Sequence, residues 1–145
     1  MRQRDPRAFL VNSLAAKAQS VAEMRAKLVA RGVEPADVEA LLDEAATLGY
    51  LDDAELAGQL ARGFRSRGYG RRRAATTLRR RGIGGAEAEA ALAAAYTDDE
   101  AELAALALGA RPVDDDAARR RAVAFLVRRG FSSGIAWQVV RRRDG

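Results

Sequence analysis

Apolar residues recur every three or four positions along most of the chain, which is the spacing of one face of an α-helix. Leu56, Leu60 and Phe64 follow this spacing, as do Ile135 and Val139. Further groups with the same spacing are Met24 with Leu28, and Val38 with Leu41 and Leu42. No segment alternates apolar and polar residues as a half-buried strand does. The pattern predicts an all-α protein of about nine helices, each of roughly 10–16 residues, joined by loops of about two to four residues.

Residues that cap helices mark several of the predicted boundaries. Ser20 and Glu23 have the spacing of a capping box, in which each side chain accepts a hydrogen bond from the other residue's backbone N–H. Pro35 falls in the first turn of the following helix, where its missing N–H removes no intrahelical hydrogen bond. Glycines are expected to end helices because they adopt the left-handed conformation without strain. The predicted helix stops are Gly32, Gly49, Gly68, Gly82 and Gly130.

One helix-plus-turn segment occurs three times. Ser20–Val33 aligns without gaps with Gly70–Ile83 and again with Ala118–Phe131. The residue types shared by all three copies are leucine at 28, 78 and 126, arginine at 31, 81 and 129, and glycine at 32, 82 and 130. Each copy has one predicted helix before it and one after it, so the chain is expected to form three tandem three-helix repeats. The predicted repeats span residues 1–50, 51–97 and 98–145. Such repeats stack on their neighbours and build an elongated, curved body.

The composition removes most catalytic chemistry. The 145 residues include no His and no Cys, which excludes imidazole bases, thiolate nucleophiles, disulfides and the usual zinc ligands. Three acidic clusters precede predicted helices and are interpreted as helix caps: Asp52-Asp53, Asp98-Asp99-Glu100 and Asp114–Asp116. Metal binding by Asp114–Asp116 is not expected, because consecutive positions in a chain rarely converge on one ion. We therefore expect no enzymatic activity, cofactor or metal. No signal peptide and no apolar run of about 18 residues occurs, so we expect a cytoplasmic protein without membrane contact.

The net charge of +5 conceals a strong segregation of charge along the chain. The charge is +5 over residues 1–31, −8 over 32–55, +9 over 56–86, −8 over 87–116 and +7 over 117–145. Residues 56–86 contain nine arginines and no acidic residue. Two interpretations remain open. The basic blocks form a surface for a polyanion or an acidic protein face, or they are solvated helix faces from a genome that favours Ala and Arg codons.

Helical projections place the arginines opposite the apolar faces. On the predicted helix after Gly70, the apolar face holds Ala74, Ala75 and Leu78, and the opposite face holds Arg72, Arg73, Arg79 and Arg80. The equivalent helix of the third repeat is expected to point Val123, Leu126 and Val127 inward and Arg121, Phe125 and Arg128 outward. Phe125 and Trp137 have two interpretations. They pack between repeats, or they anchor a partner or an unstacked base.

Three motifs in a fixed order carry a family resemblance. They are SVAEMRAKL at 20–28 followed by Arg31-Gly32, LGYLDD at 48–53, and an arginine-rich helix between Gly70 and Gly82-Ile83. In this order and spacing they resemble conserved blocks of RecX, a family of bacterial proteins that regulate recombination. The resemblance covers about residues 8–140. Glu55 stands where the family usually carries arginine, so no family contact is expected there.

The resemblance implies a regulator without enzymatic activity that acts in recombination, DNA repair and the SOS response. It implies binding to the RecA filament on single-stranded DNA, in the filament's helical groove, with inhibition of RecA's ATPase, strand exchange and coprotease functions. The expected partners are the RecA filament and single-stranded DNA, contacted directly or through the filament, with this chain as a monomer. The residues expected to contact RecA or DNA are Arg62, Arg65, Arg67, Arg72, Arg73, Arg79, Arg80, Arg121, Phe125, Arg128 and Trp137. Two other hypotheses stay open: a nucleic-acid-binding helical module that acts alone, and a helical adaptor with an acidic protein partner.

Overall fold

Nine α-helices and no strand occur in residues 5–97 and 99–144, which are the residues that the computed structural model describes. The helices are α1 (Pro6–Ala16), α2 (Val21–Ala30), α3 (Pro35–Thr47), α4 (Asp53–Ser66), α5 (Arg71–Arg80), α6 (Gly85–Ala95), α7 (Glu100–Leu108), α8 (Asp116–Arg128) and α9 (Ser133–Asp144). The predicted all-α class is confirmed. Most connections have about the expected length, whereas residues 109–115, between α7 and α8, form a longer one. None of these nine helices is long and apolar enough to cross a bilayer.

Each set of three consecutive helices has its own hydrophobic core. The main core residues are Met24, Leu28 and Leu42 in the first set, Leu78, Ile83 and Leu92 in the second, and Leu108, Leu126 and Phe131 in the third. Many other core positions hold alanine, whose small side chain lets neighbouring helices approach closely. The helical-repeat fold is thus confirmed. The predicted repeat boundaries stay a prediction, and their ends at residues 1, 98 and 145 lie outside the described residues.

The predicted caps form at most of the helix ends. In the capping box of α2, Ser20 Oγ accepts a hydrogen bond from the Glu23 N–H at 3.0 Å, and Glu23 Oε1 accepts one from the Ser20 N–H at 2.9 Å. All five glycines expected to end helices have positive φ angles, between 78° and 102°. The capping box and the glycines in the sequence therefore predicted where these helices begin and end.

One aspartate of each acidic cluster caps the helix that follows it. Asp52, Asp99 and Asp115 accept hydrogen bonds from the backbone N–H groups of Glu55, Ala101 and Ala118 at 3.0, 2.9 and 2.7 Å. Asp53 acts differently: its Oδ1 accepts a hydrogen bond from the Val21 N–H of the first helix set at 3.0 Å. Asp53 thus joins two sets of helices instead of capping its own helix. Asp98, which was also expected to act as a cap, lies outside the described residues.

The accessible surface indicates an elongated body. It measures 8841 Å² for a chain of 15.6 kDa, whereas a compact monomer of that mass exposes about 7,300 Å². Separate cores arranged in sequence account for the difference, because each three-helix set packs against its neighbours in the chain and leaves its other sides in water. The predicted curvature stays a prediction.

Candidate functional site

The arginines of α5 lie on its exposed side. Ala74 and Leu78 are each 1% exposed and pack into the second core, so the residues on the opposite face of the helix point to solvent. The exposed arginines of this helix are Arg72, Arg73, Arg79 and Arg80. Arg71, at the edge of the apolar face, pairs with Glu89 at 3.0 Å. The side of α5 turned to solvent is therefore strongly basic.

The C-terminal part of α4 adds three of the expected site residues. Arg62 is exposed, and its guanidinium lies over Gly58, where a Cβ would meet Nη1 at 2.9 Å. Arg65 is half-buried and engaged with neighbouring groups. Arg67 is exposed, donates from Nε to the Gly63 carbonyl at 3.2 Å and stacks over the Phe64 ring at 5.0 Å. Arg62 and Arg67 thus extend the basic surface, whereas Arg65 lies partly beneath it.

The first and second helix sets meet at what we call the first junction, formed by the start of α2 and the end of α5. Ser20 Oγ donates to the Arg81 carbonyl oxygen. The Arg81 guanidinium donates to both carboxylate oxygens of Glu23, at 2.8 and 3.0 Å, and to the Ala18 carbonyl at 3.1 Å. The bidentate pair is only 21% and 29% exposed at its two side chains. This junction is therefore closed by an opposite-charge pair.

The second junction is the equivalent contact between the start of α5 and the end of α8. The Gly70 N–H donates to the Arg129 carbonyl at 2.8 Å, and the Arg72 N–H donates to the Gly130 carbonyl at 3.2 Å. A Cβ on Gly70 would meet the Gly130 carbonyl oxygen at 2.5 Å, so the two backbones approach as closely as glycine allows. Two arginine side chains also cross this junction: Arg73 Nη1 donates to the Arg128 carbonyl at 3.1 Å, and Arg129 Nη2 donates to the Arg67 carbonyl at 2.7 Å.

The Tyr69 ring contacts two guanidinium groups at the second junction. The Cζ atoms of Arg73 and Arg129 lie 5.0 and 4.2 Å from its ring centroid, within the range of a cation–π contact. The ring is itself packed edge-on against Phe64, with centroids 5.4 Å apart. Aromatic rings and guanidinium groups therefore alternate across the surface that joins the second and third helix sets.

A groove on α8 continues this alternation. Its volume is about 360 Å³, and its lining includes Arg111, Arg121, Phe125 and Arg128. The Arg111 guanidinium lies 3.6 Å from the Phe125 ring centroid, and that of Arg129 lies 5.5 Å from it. Within residues 5–97 and 99–144, neither Arg121 nor Arg128 has a side-chain ion pair. The groove is a basic channel with one aromatic side.

Two expectations for the third helix set are changed. Val127 was expected to point inward but is 43% exposed, because Val123 and Leu126 already fill the core-facing stripe of α8. Trp137 is half-buried and packs against the core of its own helix set, whereas the expected packing was between repeats. Phe125 also contacts that core, but it lines the groove as well.

The electrostatics beneath the second junction stabilise a neutral phenol. Burial raises the pKa of Tyr96 to about 12, the Glu100 carboxylate adds to the rise, and Arg65 opposes it. Burial also raises the pKa of Glu100, against the effect of nearby arginines. The Tyr96 hydroxyl donates to the Tyr69 carbonyl at 2.9 Å. Tyr96 thus acts as a hydrogen-bond donor that holds the turn on which Tyr69 stands.

The chemistry available at this surface is oxyanion binding. A guanidinium is planar and always charged, and it presents paired donors that match the oxygens of a phosphate or carboxylate. Within the part of the chain that the structure describes, no group of three or more His, Cys, Asp or Glu side chains is placed to hold a metal ion. The exposed arginines and the aromatic groove thus form a basic surface whose chemistry suits oxyanions.

Three residues of this surface were not predicted from the sequence: Tyr69, Arg111 and Arg129. Tyr69 and Arg111 are single residues in turns, where helical periodicity says nothing about direction. Arg129 was recognised only as a shared repeat position, although that repetition was the available signal. Arg81 and Arg129, at equivalent positions, each reach back to the preceding helix set.

The fold and site define a class of protein: a helical-repeat chain whose described residues carry a basic surface across the second and third units. Two family models match it, described as the second three-helix domain of RecX, over residues 52–92, and the third three-helix domain of RecX, over residues 101–140. The chain belongs to the RecX family of regulatory proteins.

Curated relatives agree with this assignment. The Regulatory protein RecX of Deinococcus radiodurans is 37% identical over 140 residues, covering 92% of this chain and 66% of the relative. That of Mycobacterium avium is 34% identical over 147 residues, covering 96% of this chain and 84% of the relative. This chain therefore spans a little under two thirds of the Deinococcus protein and most of the mycobacterial one.

Solved structures show the same fold. The crystal structure of RecX from Lactobacillus salivarius superimposes with a TM-score of 0.82 at 19% identity, covering 96% of this chain and 94% of that one. A second crystal structure, of a regulatory protein RecX, gives a TM-score of 0.76 at 22% identity, covering 94% and 70%. The arrangement of the nine described helices is thus shared with proteins that retain few of the same residues.

Proposed function

We propose that this protein is a non-catalytic regulator that binds RecA filaments on single-stranded DNA and inhibits RecA's ATPase, strand exchange and coprotease functions. The observation that carries the proposal is the exposed arginine surface of α5, which continues across the second junction onto α8. Family membership supports the regulatory role. We propose that it acts in the cytoplasm, because a bacterial filament on DNA is found there. We also propose that it acts as a monomer.

The proposed contacts rest on the chemistry of arginine. A RecA filament on DNA offers phosphates and acidic side chains, and both accept paired hydrogen bonds from a guanidinium. Residues 56–86 contain nine arginines and no acidic residue. Arg71 and Arg81 pair with glutamates outside that stretch, and the exposed arginines of α4 and α5 are the ones offered to the partner. An elongated body presents these residues along a line, which suits a groove better than a flat patch.

The first experiment is the single-stranded-DNA-dependent ATPase of RecA, titrated with this protein at near-physiological salt. We expect inhibition at amounts well below one molecule per RecA monomer, because a regulator bound in a filament acts on many subunits. An unchanged ATPase rate at a large excess of this protein would contradict the proposal.

A charge-reversal variant tests which residues carry the inhibition. Arg72, Arg73, Arg79 and Arg80 are all replaced by Glu, and we expect inhibition to be lost while helical circular dichroism is retained, because all four side chains are exposed. The matched control reverses four exposed cations outside the proposed surface: Lys17, Arg120, Arg141 and Arg142. The control should keep most of the inhibition. Full inhibition by the first variant would remove these residues from the binding surface.

The alternation of rings and arginines favours a second candidate, a nucleic-acid-binding module that acts without RecA. Its affinity for bare DNA would then fall steeply with salt, because each neutralised phosphate releases counterions. Tight binding to bare DNA combined with no effect on RecA would favour this candidate over the filament regulator.

A further inference from the structure

The two junctions are built alike, but one acidic residue of the first is replaced by a basic residue at the second. Ser20 at the start of the first repeated segment aligns with Gly70 at the start of the second, so Glu23 aligns with Arg73. Arg81 in turn aligns with Arg129. The bidentate Glu23–Arg81 pair that closes the first junction is therefore replaced at the second junction by two arginines.

The arginine pair of the second junction is not matched by a carboxylate of the described residues. Within residues 5–97 and 99–144, neither Arg73 nor Arg129 forms an ion pair. Arg129 Nε is buried and finds no hydrogen-bond acceptor among the residues that the structure describes, which is a costly state for a polar group. Both guanidinium groups are held in place by the Tyr69 ring and by one backbone carbonyl each, which leaves other N–H groups free. The site is thus preorganised for an oxyanion.

The surroundings favour the phosphate of a nucleic-acid strand over a carboxylate. The Arg129 guanidinium also reaches Phe125, whose ring lines the 360 Å³ groove together with Arg121 and Arg128. A single strand alternates a charged phosphate with a flat base, and proteins bind it with a basic track and aromatic or guanidinium planes. The second junction provides the cations, and the adjoining groove provides room for a base.

We propose that the second junction binds single-stranded DNA directly. Arg73 and Arg129 hold a backbone phosphodiester in the position that the Glu23 carboxylate occupies at the first junction, and the neighbouring base enters the groove beside Phe125. This inference rests on the proposed function, because it identifies which part of the filament, its DNA, the basic surface contacts.

The sharpest variant is Arg73→Glu, which gives the second junction the charge pair of the first. The Cβ of residue 73, which packs against Gly130, is retained. A glutamate here is expected to pair with Arg129 and fill the anion position from within the chain. We therefore expect DNA binding to weaken while the unfolding midpoint stays the same or rises, an outcome that general damage to the fold would not produce.

The measurement is fluorescence anisotropy of a labelled oligothymidylate of about 20 nucleotides across a salt series, without RecA. We expect Arg73→Glu to weaken binding about tenfold or more at low salt. The slope of log affinity against log salt should become shallower by about 0.7 for each phosphate that the variant no longer neutralises. The neutral variant Arg73→Gln should lie between Arg73→Glu and the unmodified protein.

The control is Arg120→Glu on α8, which makes the same change of charge at an exposed position away from the groove lining. It should weaken binding much less. Equal losses for Arg73→Glu and Arg120→Glu would overturn the proposal, because the effect would then be one of net charge. Binding of poly-glutamate in preference to the oligonucleotide would also overturn it, in favour of an acidic protein surface. The RecA ATPase assay separates the two proposals: inhibition without oligonucleotide binding would reject only the phosphate site.

Discussion

Tyr96 holds the turn that carries Tyr69 through a single hydrogen bond, from its hydroxyl to the Tyr69 carbonyl. Replacing Tyr96 with Phe leaves that carbonyl without its donor in a half-buried position. We expect the free energy of unfolding, measured with urea at pH 7, to fall by about 1–3 kcal/mol. Tyr50→Phe is the control, because Tyr50 is 53% exposed, and its unfolding should be unchanged.

The same residue gives an alkaline pH dependence. The pKa of Tyr96 is raised to about 12 in the folded protein, from about 10 in an unfolded chain. Its contribution is therefore complete below about pH 10 and is lost as pH rises towards 12. Tyr96→Phe should lose less stability than the unmodified protein between these pH values. Parallel stability curves for the two proteins would contradict the prediction.

Glu23 makes the stability of the protein depend on pH in the opposite sense, with a loss in acid. Burial raises the pKa of Glu23, but hydrogen bonds from Arg81 and Ser20 outweigh it, so this pKa lies below its ordinary value. The stabilisation is present above the unfolded pKa of about 4.3 and is lost as pH falls through the folded value. We expect Glu23→Gln to unfold about 1–2 kcal/mol more easily at pH 7 and the difference to shrink in acid.

The exposed Arg25–Glu39 pair provides a control for Glu23, because Glu39→Gln removes the same charge at the surface. Glu39 forms a bidentate pair with Arg25, but both side chains are about half exposed. Exposed pairs contribute little because water and salt screen them. Glu39→Gln should therefore change unfolding much less than Glu23→Gln, and an equal effect would show that the first junction adds nothing.

At the scale of residues, the sequence predicted exposure better than contact. Helical periodicity placed Arg72, Arg73, Arg79 and Arg80 on the solvent side of α5, because the period of 3.6 defines which side of a helix is apolar. The partner of Glu23 could not be derived in the same way. Its contact with Arg81 spans 58 positions and depends on how two helix sets are oriented.

At the scale of elements, three equivalent glycines end α2, α5 and α8 in different surroundings. Gly32 has a φ of 80° with open space around it, whereas a Cβ on Gly82 would contact Ala22 and one on Gly130 would contact Arg73. Alanine in the left-handed conformation costs about 1–2 kcal/mol at each position. We expect Gly82→Ala and Gly130→Ala to lower the free energy of unfolding by at least about 1 kcal/mol more than Gly32→Ala does, because their methyl groups must displace a neighbouring helix set.

Thermal or urea unfolding of the three variants checks this prediction, with Gly32→Ala as the internal control for backbone strain. Equal losses at all three positions would mean that the close approaches at the junctions do not contribute to stability.

The ends and the apolar faces of the helices could largely be predicted from the sequence. The length of the longest connection could not. The glycines and the Ser20–Glu23 box marked the helix ends because they satisfy local backbone requirements. The connection at residues 109–115 was expected to be shorter, and it carries Arg111, whose position over Phe125 no periodic pattern could indicate. Loop geometry therefore determines the part of the site that helical periodicity could not predict.

At the scale of the whole molecule, three separate cores predict an elongated particle in solution. A compact domain of this length has a radius of gyration of about 15 Å. Small-angle X-ray scattering of the full chain should give a clearly larger value, because its accessible surface of 8841 Å² exceeds that of a compact monomer. A radius near the compact value would show that the three helix sets fold together into one body.

Helix α5 takes part in both junctions: its first residues contact the end of α8, and the residues just after it contact the start of α2. The number of residues in this one helix therefore fixes the angular phase between the first and third helix sets. One inserted residue would turn one set relative to the other by about 100° and shift it by about 1.5 Å. The proposed filament has a regular helical repeat, and a molecule of this kind would match it at one phase only. We therefore expect the length of α5 to matter more for filament binding than any one of its surface residues.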